Sequence, residues 1–330
     1  MVRSERATAL RFAASGFHCM TNPLILSFGS INIDVTARTR RLPRPGETVH
    51  GESYAIGLGG KGANQAAAAA RLGAGVGVSA ALVGRIGRDA FGARAREALG
   101  AFGVELEAMR EDAAHPTGLA LIGIEESGEN CITVVGGANM AVGVADVAEA
   151  EAVFARAAVV LLQLEVPLAA VSAAAERGRA AGARVVLDPA PAPSGPLPAA
   201  LWSLVDVVTP NESETEALTG IRPEGPEDAA RAARALLALG ARAAAVKMGG
   251  RGVWWQQGES GGFVPPLPVR VVDTVAAGDC FNAGLAVGLA AGRDLAEAVR
   301  MAAICGALAV TRPGAAEAAP DWEEVRALLA

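Results

Sequence analysis

Short apolar runs and longer alanine-rich stretches take turns along the chain from Leu24 onward. Leu24 to Phe28, Val76 to Val83, Val159 to Leu164, Val185 to Leu187 and Ala243 to Met248 are brief and apolar nearly throughout. Runs of this kind, without strict polar alternation, predict strands covered on both faces. Ala63 to Leu72, Ala90 to Leu99, Val144 to Ala155 and Leu168 to Ala181 are longer and alanine-rich, and predict helices between those strands. Such alternation implies βαβ crossovers. The fold class is α/β, with a mostly parallel central sheet flanked by helices on both faces, and ligands then bind beyond the carboxyl ends of the strands.

Two stretches depart from this rhythm. Val35 to Arg40 and Thr48 to Ile56 flank Pro43-Arg44-Pro45-Gly46, and Gly118 to Ile124 and Asn130 to Val135 flank Glu126-Ser127-Gly128-Glu129. Each reads as a strand pair around a turn, with no room for a helix between. Together they predict a small separate sheet, a β lid over a site. Toward the C-terminus, Val253 to Trp255 and Gly262 to Pro265 predict a hairpin. Val269 to Val272 reads as a last short strand ending at Asp273, and Phe281 to Ala291 and Leu295 to Thr311 predict two apolar helices.

Composition narrows the class. The 330 residues suffice for one large α/β domain, and 52% are apolar. The formal charge of −6, with no basic stripe, argues against nucleic acid or a membrane surface as partner. Apolar windows such as Ala157 to Leu164 are too short to span a bilayer. The cysteines Cys19, Cys131, Cys280 and Cys305 form no Cys-x-x-Cys pair, which fits a reducing cytoplasm rather than disulfides or zinc. Residues 1–22 carry several arginines and no hydrophobic pattern. They read as a disordered extension, or as the product of an upstream start codon with Met20 as the functional start. The abundance of alanine reads as codon bias.

The candidate chemistry centres on Asp273-Thr274-Val275-Ala276-Ala277-Gly278-Asp279-Cys280. Small residues let backbone N–H groups crowd around an anion, and a following helix aims its positive end at the same place. An acid there, Asp279, usually has a chemical task. The stretch reads as an anion hole with a base for phosphoryl transfer, and Cys280 as a packing residue. Asn32 and Asp34 would share a face of an extended segment and could grip adjacent hydroxyls of a sugar, although an Asx turn accounts for them as well. Gly57-Leu58-Gly59-Gly60-Lys61-Gly62 matches G-x-G-x-x-G, but its preceding strand belongs to the lid and no acid follows at the ribose-binding distance. Nor is it a phosphate-binding Walker loop, because Gly62 follows Lys61. It reads as a glycine-rich approach to a helix, with Asn64 facing a ligand. Glu165, Asp188, Asn211 and Glu214 all fall at strand ends, and Asn211 with Glu214 also forms a capping box.

Taken in order, several of these segments resemble the ribokinase branch of the ribokinase/PfkB-type carbohydrate kinases. They are Gly29 to Asp34, Pro45-Gly46-Glu47-Thr48, Gly59 to Ala66, Gln163-Leu164-Glu165, Pro189 to Ala192, Thr209 to Glu212 and Asp273 to Asp279. The resemblance implies a ribokinase-like, Rossmann-like kinase domain over residues 23–330, its lid formed from about 33–57 and 117–136. It implies transfer of the ATP γ-phosphoryl group to the 5-hydroxyl of D-ribose. Asn32, Asp34, Gly60, Lys61, Asn64, Glu165 and Asp279 would bind the sugar, and Asp279 would be the base. Ala276, Ala277 and Gly278 would supply the anion hole. Asn211, Lys247, Gly249, Gly252, Gly278 and Asp279 would bind ATP, with Glu214 near its magnesium. Asp273, the Val275 carbonyl and carbonyls around Ala309, Arg312 and Gly314 would hold a potassium ion. Three departures stand out: Lys247 in place of Thr, Ala303 in place of a polar residue near the adenine, and Ala318 in place of a Ser of the potassium shell. The unpaired edges of the lid strands lead to the expectation of a homodimer, lid against lid. Another small sugar, or a nucleoside, is the alternative substrate, and a non-catalytic sugar-binding protein the alternative from another class.

Overall fold

The structure, a computed structural model, describes residues 22–329. The readings made on the first twenty-one residues, including the Met20 start and Cys19, lie outside them. A nine-stranded sheet forms the body. In spatial order its strands are β13 (Ser260–Val264), β12 (Val253–Gln257), β11 (Ala243–Lys247), β10 (Val207–Val208), β9 (Arg184–Leu187), β8 (Ala157–Leu162), β1 (Leu24–Phe28), β4 (Ser79–Gly87) and β5 (Met109–Asp112). All neighbours from β11 to β5 run parallel; β12 and β13 are antiparallel additions at one edge.

Successive residues of each central strand point to opposite faces, and both faces are covered. Ile25, Leu82, Leu161 and Val186 pack beneath the helices Lys61–Gly73, Ala277–Ala290 and Leu295–Ala309. Leu26, Phe28, Val160 and Leu187 pack beneath Leu168–Ala180 and Pro226–Leu239. Alanine and glycine are structural on the first face. A Cβ at Gly284 would stand 2.7 Å from Cys305 Sγ, and one at Gly288 would stand 3.0 Å from the Ala298 Cα. The helices Ala277–Ala290 and Leu295–Ala309 therefore approach closely only because those positions are glycine, so codon bias does not account for all the small residues.

The second sheet has four strands in the order β3 (Gly51–Gly59), β2 (Asn32–Thr39), β6 (Gly118–Glu125) and β7 (Asn130–Val135). It is the expected lid sheet, and β2 starts at Asn32, three residues earlier than the hydrophobic pattern placed it. Among the described residues, no helix is long and apolar enough to cross a membrane, and Cys131, Cys280 and Cys305 are free thiols.

Three expectations are corrected. Val144 to Ala155 is two short helices, Val144–Glu149 and Glu151–Phe154. Residues 265–272 form no strand: Val271 and Val272 are exposed, and their only sheet-like contact is the Val272 N–H donating to the Val310 carbonyl at 2.7 Å. Asp273 therefore lies within a loop, not at the end of a strand. The helix placed at Phe281 begins at Ala277, so Asp279 lies inside its first turn rather than in the turn before it.

Candidate active site

Asp279 sits in a helical first turn, where N–H groups have no intrahelical partner. The turn is opened by Ala276 at φ 55°, the one non-glycine residue with positive φ among the described residues. That left-handed step costs about 1–2 kcal/mol for an L-residue, and Ala276, Ala277 and Gly278 all line a cleft. The Ala277 N–H makes only a long 3.4 Å bond, to the Thr274 carbonyl.

The cleft holds about 700 Å³. It gathers Lys61, Asn211, Glu214, Lys247, Gly249, Gly252, Ala276, Ala277, Gly278 and Asp279 from four separate parts of the chain, with Asp188 and Ala303 also in the wall. Lys247 Nζ lies 3.1 Å from Asp188 Oδ1 and 5.7 Å from the Phe281 ring centre. Gly249 (φ 54°) and Gly252 (φ 93°) make the loop after β11, and a Cβ on Gly252 would meet the Val264 carbonyl at 2.5 Å. Asn211 is the helix cap foreseen: its Oδ1 accepts from the Glu214 N–H at 2.9 Å, and its own N–H donates to Glu214 Oε2 at 2.8 Å. Burial raises the Glu214 carboxyl above its ordinary value, against the pull of Lys247.

Asp279 joins this cleft to the lid side. Its Oδ2 accepts from Asn64 Nδ2 at 3.1 Å and its Oδ1 from Gln65 Nε2 at 3.0 Å. It is 5% exposed, and burial pushes its carboxyl up to about 6, with Asp188 adding to the rise and Lys61, Gln65 and Asn64 opposing it. Burial alone would lower the Lys61 ammonium, but Asp279, Asp188, Glu165 and Glu214 around it win and hold it above its ordinary value. Glu165 Oε2 accepts from Ser30 Oγ at 2.5 Å and from the Lys61 N–H at 3.1 Å. Gly60 caps that helix at φ 86°, with no space for a Cβ beside the Asn32 N–H.

Asn32 and Asp34 stand on β2 and share a face, as their spacing predicted. Asn32 Oδ1 is held by Asn139 Nδ2 at 2.7 Å. Asp34 sits over Gly59, where a Cβ would collide with its carboxylate. Burial first, then Glu165, Glu317 and Asp279, push Asp34 up to about 6. Among the described residues no donor reaches the Asp34 carboxylate, and Asn64 Oδ1 is buried without a partner. These two acceptors call for hydroxyl donors from a ligand.

Two of the segments expected around potassium are joined through Asp273. Asp273 Oδ1 accepts from the Val275 N–H at 3.0 Å and Oδ2 from the Gly314 N–H at 3.3 Å, which joins the 273–275 turn to the loop after the last long helix. The Arg312 side chain turns away to Glu324 at 2.7 Å, so only its carbonyl could face an ion there. Ala309 ends the helix and Ala318 is fully buried. The residues that sequence reasoning gave no role are Gln65, Gln163, Asn139 and Ser30; Asp188 was noted at a strand end but given no partner.

A parallel sheet with a strand lid, and a cleft that sets a carboxylate among the free N–H groups of a helix start, define an α/β kinase of small molecules. The chain belongs to the pfkB family of carbohydrate kinases, whose family model matches residues 22–322. It is 36% identical over 301 residues to the ribokinase of Haemophilus influenzae, covering 91% of this chain and 96% of that protein. It is 32% identical over 305 residues to the deoxyribokinase of Salmonella typhi, covering 92% and 98%. Among solved structures, Arabidopsis thaliana ribokinase complexed with ribose and ATP matches at a TM-score of 0.86 and 36% identity, over 94% of this chain and 99% of that one.

Proposed function

We propose that the protein is a ribokinase that transfers the ATP γ-phosphoryl group to the 5-hydroxyl of D-ribose, with Asp279 as the base. The observation that carries this is the buried Asp279 carboxylate in the first turn of a helix whose free N–H groups line the same cleft. Sugar hydroxyls donate to Asp34 and to Asn64 Oδ1, with Asn32, Gly60, Lys61 and Glu165 completing that side. Asp279 takes the proton of the attacking hydroxyl; a carboxyl near 6 is mostly ionised at neutral pH and still basic enough for the task. The N–H groups of Ala276, Ala277 and Gly278 receive the charge of the transferring group. Lys247, released from Asp188, pairs with the phosphates, while Gly249, Gly252 and Ala303 leave room for the nucleotide, and Asn211 and Glu214 stand at its phosphate end.

The carboxyl groups of Glu214 and Asp188 on the cleft wall suit a magnesium ion that would reach the site bound to phosphate and water and would neutralise phosphate charge. Asp273, with the carbonyls of Val275, Ala309, Arg312 and Gly314, would hold potassium and brace the turn that carries Ala276. The lid carries exposed Tyr54, Leu121, Ile132 and Val134. These support a lid-to-lid homodimer, for which light scattering at twice the monomer mass is the expected result. The free thiols fit a reducing cytoplasm.

ADP release over a panel of ribose, 2-deoxyribose, hexoses and nucleosides tests the reading. Ribose with the highest kcat/KM, raised by potassium, supports it; preference for 2-deoxyribose favours the second reading, which the deoxyribokinase likeness motivates. No turnover with any of them rejects catalysis.

A further inference from the structure

Gln65 and Gln163 take no part in the chemistry just described, yet they tie the Asp279 carboxylate to the central sheet. Gln65 follows Asn64 on the Lys61–Gly73 helix and is fully buried. Its Nε2 donates to Asp279 Oδ1 at 3.0 Å and to Asp188 Oδ2 at 3.0 Å. A primary amide nitrogen has two N–H bonds, and both are committed to carboxylates. Its Oε1 accepts from Gln163 Nε2 at 2.6 Å. Since carboxylates accept only from the donor end of an amide, the direction of the Gln65 side chain is determined. Gln163, also fully buried, is seated on Gly29, where a Cβ would stand 1.9 Å from its Oε1. One chain of contacts therefore runs from Gly29 through Gln163 and Gln65 to Asp279, with a branch through Asp188 to Lys247.

We propose that Gln65, locked by Gln163, is the positioning residue of the Asp279 carboxylate, fixing the direction of one oxygen and placing a neutral donor between it and Asp188. The proposal rests on the reading of Asp279 as the base. Two buried carboxylates that share a donor repel each other directly once it is removed. The other charged or titratable groups near Asp279 are Lys61 on the Gln65 helix, Asp34 on β2, Lys247 beyond Asp188 and the adjoining Cys280 thiol. Burial and the Asp279 charge push that thiol up to about 12, so it stays neutral.

The test is the pH dependence of kcat/KM for ribose-driven ADP release by the full chain, with magnesium and potassium present. The unsubstituted protein is compared with Gln65→Leu, Gln163→Leu and the double variant. In Gln65→Leu the ionised carboxylate loses a charge-assisted hydrogen bond, so the acid limb moves up by about one pH unit. At pH 7, kcat falls by roughly tenfold while ribose KM changes by less than about threefold. Gln163→Leu moves the limb the same way by less, and the double variant goes no further than Gln65→Leu, because the two side chains act in series. An acid limb that stays in place in the folded single variants overturns the proposal, and so does an additive double variant. If Gln65→Leu does not fold, the Gln163→Leu profile decides alone. An active Asp279→Asn variant refutes the base reading instead; an inactive one with an unmoved Gln65→Leu profile refutes only the positioning role.

Discussion

Single residues of this site hold one another across long stretches of chain, and Asn139 shows what depends on that. Its Oδ1 accepts from the Ile31 N–H at 2.8 Å, and its Nδ2 donates to the Ile31 carbonyl at 3.0 Å and to Asn32 Oδ1 at 2.7 Å. Gly118 leaves the space for this pair, because a Cβ there would stand 2.1 Å from Asn32 Oδ1. Asn139→Leu strands these buried groups and should cost on the order of 3 kcal/mol in urea unfolding. Freed from its anchor, Asn32 should also lose the sugar, so calorimetry should show ribose affinity down roughly tenfold while kcat at saturation changes less. Asn32, Asp34, Asn64, Glu165 and Asp279 were legible because each stands where an apolar run meets small or polar residues. Asn139 was not, since its partners lie more than a hundred positions away and its own surroundings carry no pattern. Gln65 and Gln163 were hidden for the same reason, inside segments whose neighbours had already been given the roles.

At the level of elements, the hydrophobic rhythm located the core strands and the lid, and erred where small residues carry no period. The helix beginning at Ala277 was placed four residues late because Ala-Ala-Gly gives neither a polar cap nor an apolar stripe. Strand β5 and the helices Ala199–Leu204, Pro226–Leu239 and Trp322–Leu329 were not foreseen. The helix Pro226–Leu239 carries its own start signals, Pro226 at the first position and Glu227 and Asp228 in the first turn. What the sequence could not reveal is the left-handed Ala276, where a glycine would be expected. Its conformation aims the helix start, so Ala276→Val, β-branched at positive φ, should destabilise by about 2 kcal/mol and lower kcat more than it raises ribose KM. Ala276→Gly should stay within about 1 kcal/mol of the parent. Thermal unfolding with steady-state kinetics checks both, and an unaffected valine variant would remove the geometric role given to this turn.

For the molecule as a whole, the site is a place where folding stability is given up. Asp34 and Asp279 ionise near 6 in the folded protein, against an ordinary value of 3.8. A carboxyl raised in this way favours the folded state most below its unfolded value and loses that contribution as pH rises through 6. For Asp279 the rise corresponds to roughly 3 kcal/mol. The ligand-free protein should therefore show a Tm that falls between pH 4 and 7. Asp34→Asn should be more stable than the parent at pH 7.5, an advantage that disappears below pH 4; calorimetric Tm values with parallel pH slopes would contradict this. The central proposal is that Asp279 takes the proton of a sugar hydroxyl as the phosphoryl group leaves ATP. The direct measurement is single-turnover phosphorylation of ribose by Asp279→Asn, alongside ribose binding by calorimetry. A rate lower by on the order of a hundredfold or more, with ribose affinity within about threefold of the parent, is the predicted result. Phosphoryl transfer at near the parent rate would contradict it.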